Sequence, residues 1–236
     1  TQSRSSAASD VYKRQHPDDP GLLVNDTGCG NTLALEREPV GRMALDALRL
    51  MVQAAGVDGF RYDLGTVLGR TETGYFEPDA PLLRQIAEDP VLRDRIHVME
   101  PWDIGPGGYQ LGNFKPPYHE WQDRFRDDAR RFWKGEDAMA GALATRLAGS
   151  ADLFQRNWRV PSAGVNFIAA HDGFSLADIV AYERKHNEAN GEQNRDGHNE
   201  NHSWNWGVEG FTRDAAVIEA RKRDIRALLA LSLIHI

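Results

Sequence analysis

The chain has 236 residues, 41% of them apolar, which allows one large domain or two small ones. Its 28 Lys and Arg against 35 Asp and Glu leave a net charge of −7, which disfavours a nucleic-acid partner. The single cysteine, Cys29, excludes an internal disulfide framework and fits a reducing compartment, hence the cytoplasm; no apolar run approaches the roughly 18 residues of a membrane span, so no membrane partner is expected. Cys29 itself reads as a small buried or half-buried thiol rather than a nucleophile.

Residues 1–15 are polar and unlike the rest of the chain, without the apolar core of a signal peptide. Residues 9–15 and 232–236 resemble translated sequencing-adapter ends. The chain therefore reads as a fragment of a longer protein with non-native tips at 1–15 and 232–236. Residues 16–37 are turn-rich. From Pro39 the apolar residues Val40, Ala44, Ala47, Leu48, Met51 and Ala55 follow helical spacing, with Gly56 as the stop. A strand over 57–64 comes directly after it. Asp79 or Ala80 caps a helix over 81–88 that starts on Pro81. A strand over 96–100 ends on Glu100 and is broken by Pro101-Trp102-Asp103. Gly105 to Gly112 is glycine-rich, and 118–125 reads as a short, irregular strand. Helices are expected over 127–133 and 138–147. A third clear strand over 165–170 runs into His171-Asp172-Gly173. A polar segment, 185–210, precedes a helix over 215–231.

Helix and strand alternate along this order, which implies a parallel sheet. Three strands each end on an acid: Asp63, Glu100 and Asp172. Catalytic residues at the C-terminal ends of several parallel strands point to a (β/α)₈ TIM barrel. A doubly wound sheet also places its site there, but no Gly-rich phosphate loop follows a first strand. The expected fold is thus α/β, a partial (β/α)₈ barrel of about four βα units over residues 16–231.

Arg61 lies two residues before Asp63, so both point the same way along their strand. A cation beside a carboxylate keeps it ionised, as a glycosidase nucleophile or a metal ligand requires; a structural ion pair is the other reading of this stretch. Glu100 follows Val98 and Met99 with Trp102 nearby, an apolar setting that raises a carboxyl pKa and suits a proton donor. Asp172 with His171 suits hydrogen bonding to substrate hydroxyls. Three carboxylates at one rim suit retaining glycoside hydrolysis, which sets nucleophile and acid about 5–5.5 Å apart.

Gly59-Phe60-Arg61-Tyr62-Asp63, Glu100-Pro101-Trp102-Asp103 and Ala170-His171-Asp172-Gly173 resemble, in order, three sequence regions of the α-amylase clan, at the ends of barrel strands four, five and seven. Asn25 through Thr32, Glu100 through Phe114, Phe125 through Trp133 and Lys185 through Gly197 resemble bacterial glycogen-debranching enzymes and isoamylases more closely. The resemblance covers roughly residues 20–231. It implies Asp63 as nucleophile, Glu100 as general acid/base and Asp172 as transition-state stabiliser. It also implies that Arg61 orients Asp63 and that His171 contacts the sugar at the cleavage site. Trp102 and Tyr109 are candidate stacking surfaces for sugar rings, with core packing as the alternative for each. The implied substrate is a branched α-glucan, glycogen or limit dextrin, cleaved at its α-1,6 linkages with no cofactor. An α-1,4-acting hydrolase or transglycosylase of the same clan is the alternative enzyme, and a non-catalytic glucan-binding protein the alternative of another class.

Two positions depart from the pattern. Met99 stands where alanine is usual before the glutamate, and Gly65 where alanine often follows Asp63-Leu64. The clan's strand-three region, with its aspartate and histidine, is absent, so the fragment alone is expected to be inactive. Residues 196–202 hold acids and histidines but no HExxH pair, and read as a substrate-cleft loop rather than a metal site.

Overall fold

A computed structural model describes residues 12–16 and 18–234. The elements are strands β1 (Gln15–His16) and β2 (Asp19–Leu23), helix α1 (Glu38–Ala55), β3 (Gly59–Tyr62), α2 (Pro81–Glu88), β4 (Ile96–Met99), β5 (His119–Gln122), helices α3 (Asp123–Lys134), α4 (Met139–Leu147) and α5 (Ala151–Phe154), then β6 (Gly164–Asn166) and α6 (Ala215–Ile234). β1 and β2 pair antiparallel. A second sheet has the order β3-β4-β5-β6, with β4 parallel to both β3 and β5. The α/β class and the parallel sheet follow the alternation seen in the sequence.

The chain forms two compact units. The first holds residues up to Trp121 together with Asp152–Val165; the second holds Gln122–Ala151 and the residues from Asn166 onward. In the first unit, Pro39 opens α1, and Gly56, at φ 67°, closes it by donating its N–H to Val52 O. α1 packs through Val40, Ala44, Leu45, Leu48 and Val52, whereas Met51, expected on that face, is exposed. α2 buries Leu82, Leu83 and Ile86, each contributing about 1.5–3 kcal/mol relative to exposure. Ala80 is its N-cap, with no side-chain capping bond.

Sheet alternation turns Tyr62, His97 and Met99 towards this core. His97 is fully buried between Tyr62 Oη, 2.9 Å from Nδ1, and Leu92 O, 2.9 Å from Nε2. A carbonyl only accepts, so Nε2 carries the proton and Nδ1 accepts from the tyrosine. Burial holds the imidazole below its ordinary pKa and the Tyr62 phenol above its own.

Of the segment expected to be a non-native tip, Tyr12 to Gln15 are among the described residues. Arg14 is buried, with Nη2 2.8 Å from Glu36 Oε2, and its backbone N–H donates to Thr32 O. The first eleven residues, and 235–236 at the other tip, lie outside the described residues. Cys29 is exposed rather than buried or half-buried.

In the second unit, Phe125, Ala129, Leu143, Ile168, Ile179 and Leu228 form the core. The charges of α3 do not all face solvent. Arg130 is buried, donating to Ile168 O at 2.8 and 2.6 Å and to Asn201 O at 3.0 Å. Desolvation, with the nearby Arg126 cation, brings its pKa down to about 10. The strand expected over 165–170 is shorter than its pattern suggests. The third strand is only Gly164–Asn166 and stops before His171 and Asp172. Its neighbour β5 gives way to α3 at Asp123, so 167–172 has no ladder to continue and proceeds as loop, with Ile168 O accepting from the Arg130 guanidinium.

Candidate active site

The register of β3 on β4 builds the centre of the site. Arg61 pairs with Val98 and Tyr62 with Met99, and Glu100 N–H donates to Tyr62 O at 3.1 Å. The next step along both strands is Asp63 beside Glu100. Arg61 binds both: its Nη1 lies 2.7 Å from Asp63 Oδ1 and its Nη2 3.0 Å from Glu100 Oε1. The expected Arg61–Asp63 pair is thus present, and the bridge to Glu100 is an addition. The two acids differ in environment. The Asp63 side chain is 72% exposed and that of Glu100 3%.

Two further groups complete this cluster, and neither stood out in the sequence. Leu64 takes the left-handed conformation (φ 46°, ψ 50°) and aims its N–H at Glu100 Oε2, 2.7 Å away. A branched residue held in that region is strained, and such strain concentrates at functional sites. The Trp121 ring lies under Arg61, with the guanidinium carbon 4.7 Å from its centroid. A tryptophan on a strand immediately before a charged helix is the one sequence signal that could have suggested it.

The loops after β3 and β4 are clamped by Arg70 and Asp103. Both side chains are essentially buried, and Arg70 Nε and Nη2 meet the two Asp103 oxygens at 2.7 and 2.6 Å. Nη2 also donates to Pro106 O and Nη1 to Gly74 O. Desolvation opposes the Arg70 charge, but Asp103 outweighs it and the pKa is raised. Trp102, next to Asp103, is half-buried, and Tyr109 is 46% exposed, which places Tyr109 outside the core.

Asp172 and His171 belong to the second unit and are described within it. His171 Nε2 lies 3.3 Å from Asp172 Oδ1, both side chains being about half exposed. They line a cavity of about 430 Å³ with Tyr182, His186, His198 and Asn201. The loop over 185–210 forms one wall of it. His198 N–H donates to Asp172 O at 2.9 Å, and Asn201 braces the turn by accepting from Phe174 N–H and donating to His198 O. Desolvation pulls the Glu209 carboxyl up, but hydrogen bonds from Asn205, His186 and the backbone N–H groups of Glu183 and Arg184 outweigh it and hold the pKa near about 2. The Asp196 carboxylate accepts from the Asn187 and Asn190 amides. The loop expected to line a cleft therefore lines the cavity that holds Asp172. Among the described residues, no group of three or more His, Cys, Asp or Glu side chains is placed to hold a metal ion.

The two departures noted in the sequence are one packing event. A Cβ on Gly65 would lie 2.9 Å from Met99 Sδ and 3.1 Å from the Glu100 carbonyl oxygen. Met99, fully buried, occupies the room that a smaller residue would leave. Gly65→Ala alone is expected to destabilise the chain by about 1–3 kcal/mol through overpacking. Combined with Met99→Ala it should recover part of that loss, a coupling of about 0.5–3 kcal/mol in a double-mutant cycle of urea unfolding. Additive losses would show that the two sites do not compete for the same space.

No family model matches the chain. Over 212 residues, 90% of its length, it is 53% identical to the glycogen debranching enzyme of Erwinia tasmaniensis and 52% identical to that of Salmonella paratyphi A. Its relatives are glycogen debranching enzymes. The chain spans 32% of the length of these curated relatives, so it corresponds to about a third of such a protein. Among solved structures, a pullulanase from Anoxybacillus sp. LM18-11, complexed with maltotetraose, is 27% identical and aligns over 71% of this chain and 25% of its own, with a TM-score of 0.54. The pullulanase from Bacillus acidopullulyticus aligns over 95% of this chain and 31% of its own at a TM-score of 0.60; at 20% identity it speaks for the fold alone. Among the described residues, no helix is long and apolar enough to cross a membrane.

Proposed function

We propose that the chain is the catalytic portion of a retaining glycoside hydrolase that cleaves α-1,6 branch linkages of glycogen or limit dextrin in the cytoplasm. It would supply about strands four to seven of a (β/α)₈ barrel, the remainder coming from the rest of a longer enzyme. One observation carries this reading: the register that makes Asp63 and Glu100 neighbours on adjacent parallel strands. One guanidinium then reaches both carboxylates, Arg61 Nη1 lying 2.7 Å from Asp63 Oδ1 and Nη2 3.0 Å from Glu100 Oε1, which supports the close pairing of nucleophile and acid that a retaining enzyme uses.

The roles are those that the sequence motifs imply, and the Arg61 cation beside Asp63 supports the nucleophile. Asp63, exposed and paired with Arg61, attacks the anomeric carbon while Glu100 protonates the departing glycosidic oxygen. Asp63 loses its charge on forming the glycosyl ester, and Glu100 gains one on giving up its proton. Arg61 touches both, so its guanidinium stays paired through the exchange, with no charge left uncompensated. Glu100 then deprotonates the water that frees the sugar. Asp172 and His171 hold sugar hydroxyls, and Trp102 and Tyr109 offer ring surface to the glucan.

The test compares products from a branched limit dextrin and from linear amylose, using the full-length enzyme. Release of linear chains from the dextrin, with amylose left intact, is expected. Hydrolysis of amylose without loss of branch points would instead select an α-1,4-acting enzyme.

A further inference from the structure

Trp158 is 96% exposed, the most exposed of the large apolar side chains among the described residues. It also sits in the left-handed region, φ 55° and ψ 27°. Leaving a large aromatic in water forgoes about 1.5–3 kcal/mol of burial, and a non-glycine residue held in that region typically costs of order 1–3 kcal/mol. Neither is offset by a contact of the ring.

The backbone around the ring is nevertheless firmly held. Asn157 Nδ2 donates to Gly112 O at 2.6 Å, and Trp158 N–H to Gln155 O at 3.0 Å. Arg159 is buried, its Nη1 2.7 Å from Glu120 Oε1 and its guanidinium also donating to Phe114 O and Tyr118 O. The exposed ring therefore stands on a turn anchored from both sides, and is no frayed tip. Beside it lies a groove of about 620 Å³ lined by Phe76, the amides of Gln110, Asn113 and Asn157, and the Lys115 ammonium. None of these belongs to the Asp63–Glu100 cluster or to the Asp172 cavity.

We propose that this groove is a second α-glucan-binding site, with Trp158 as its stacking platform. A flat aromatic face meets the C–H face of a glucose ring, and neutral amides at the rim donate to and accept from its hydroxyls. The two cations of the groove, Lys115 and Arg159, are each paired with a carboxylate, Asp79 and Glu120, which fits an uncharged, hydroxyl-rich chain better than an ionic ligand. Its volume lies within the ~300–1,000 Å³ of small-ligand sites, room for a few sugar units. The inference rests on the proposed α-glucan substrate and adds a place where the polymer is held apart from the reacting bond.

The test uses the full-length enzyme carrying Asp63→Asn, which binds without turning over, and titrates maltoheptaose by calorimetry. Two classes of binding site are expected. Trp158→Gly, a residue suited to the left-handed turn, should weaken one class about tenfold, the equivalent of losing ~1.4 kcal/mol of stacking. Trp158→Tyr should restore it. In the otherwise wild-type enzyme, Trp158→Gly should lower affinity for glycogen while leaving kcat on a short branched oligosaccharide unchanged. A single class of site, unaltered by Trp158→Gly, would overturn this inference and leave the proposed function standing. A lowered unfolding midpoint in Trp158→Gly with sugar binding unchanged would also overturn it, by showing that the ring is covered by another segment of the longer protein. Absence of any α-glucan binding or turnover would overturn both.

Discussion

Glu100→Gln in the full-length enzyme is expected to cut turnover of branch points by about 10²–10⁴-fold, the usual size of a general acid–base contribution. The amide keeps the shape of Glu100 and can still accept from Leu64 N–H, 2.7 Å from Oε2 in the wild-type chain. It cannot give a proton to the glycosidic oxygen. The loss should depend on the leaving group. A maltosyl fluoride departs without protonation, so its first step should be nearly spared in Glu100→Gln. Asp63→Asn should abolish turnover of both substrates, because no glycosyl-enzyme can form. Single-turnover measurements with the two substrates separate the roles. Equal losses on fluoride and glucan in Glu100→Gln, or near wild-type activity in either variant, would mean that the roles are misassigned.

Arg70→Met is expected to destabilise the chain by about 3–5 kcal/mol, since removing one partner of a buried ion pair leaves the other charge uncompensated. The Asp103 side chain is fully buried and would retain Gly105 N–H, 2.9 Å from Oδ1, but lose both guanidinium contacts. The Gly74 and Pro106 carbonyls would lose donors as well. Arg70→Lys should recover little of this. An ammonium cannot reproduce a two-point fork on a carboxylate while reaching two carbonyls. Against a typical total of about 5–15 kcal/mol, the loss is a large fraction of the stability. Urea unfolding gives the magnitude, and hydrogen exchange at Gly105 and Gly108 reports whether the loop beside Glu100 opens first. A change below about 1 kcal/mol would place the pair in the range of solvated surface bridges.

Much of this molecule was legible from local pattern. Pro39 with Gly56 set the ends of α1 to within a residue, and Pro81 began α2. The motifs that close β3 and β4 named Asp63 and Glu100, and the period-2 geometry of a strand was enough to pair Arg61 with Asp63. These features depend on neighbours within a few residues, which a sequence displays directly. The relation to glycogen debranching enzymes was also legible, because it rests on motifs whose order is itself sequence.

What the sequence could not show depends on groups distant along the chain. The bridge from Arg61 to Glu100 requires the register of two strands 37 residues apart, as does the Leu64 N–H aimed at Glu100 Oε2. The third strand was expected to reach His171, but it ends at Asn166, where its neighbour β5 has given way to α3, and the Ile168 carbonyl is met instead by Arg130, 38 residues earlier. A helical pattern does not reveal that backbone carbonyls from elsewhere will satisfy Arg130. Gly65 and Met99 looked like separate departures until their shared volume was visible. Trp158 carried no local sign of its exposure. Its anchors, Gly112, Phe114, Tyr118 and Glu120, lie about forty residues earlier and meet it only in the folded chain.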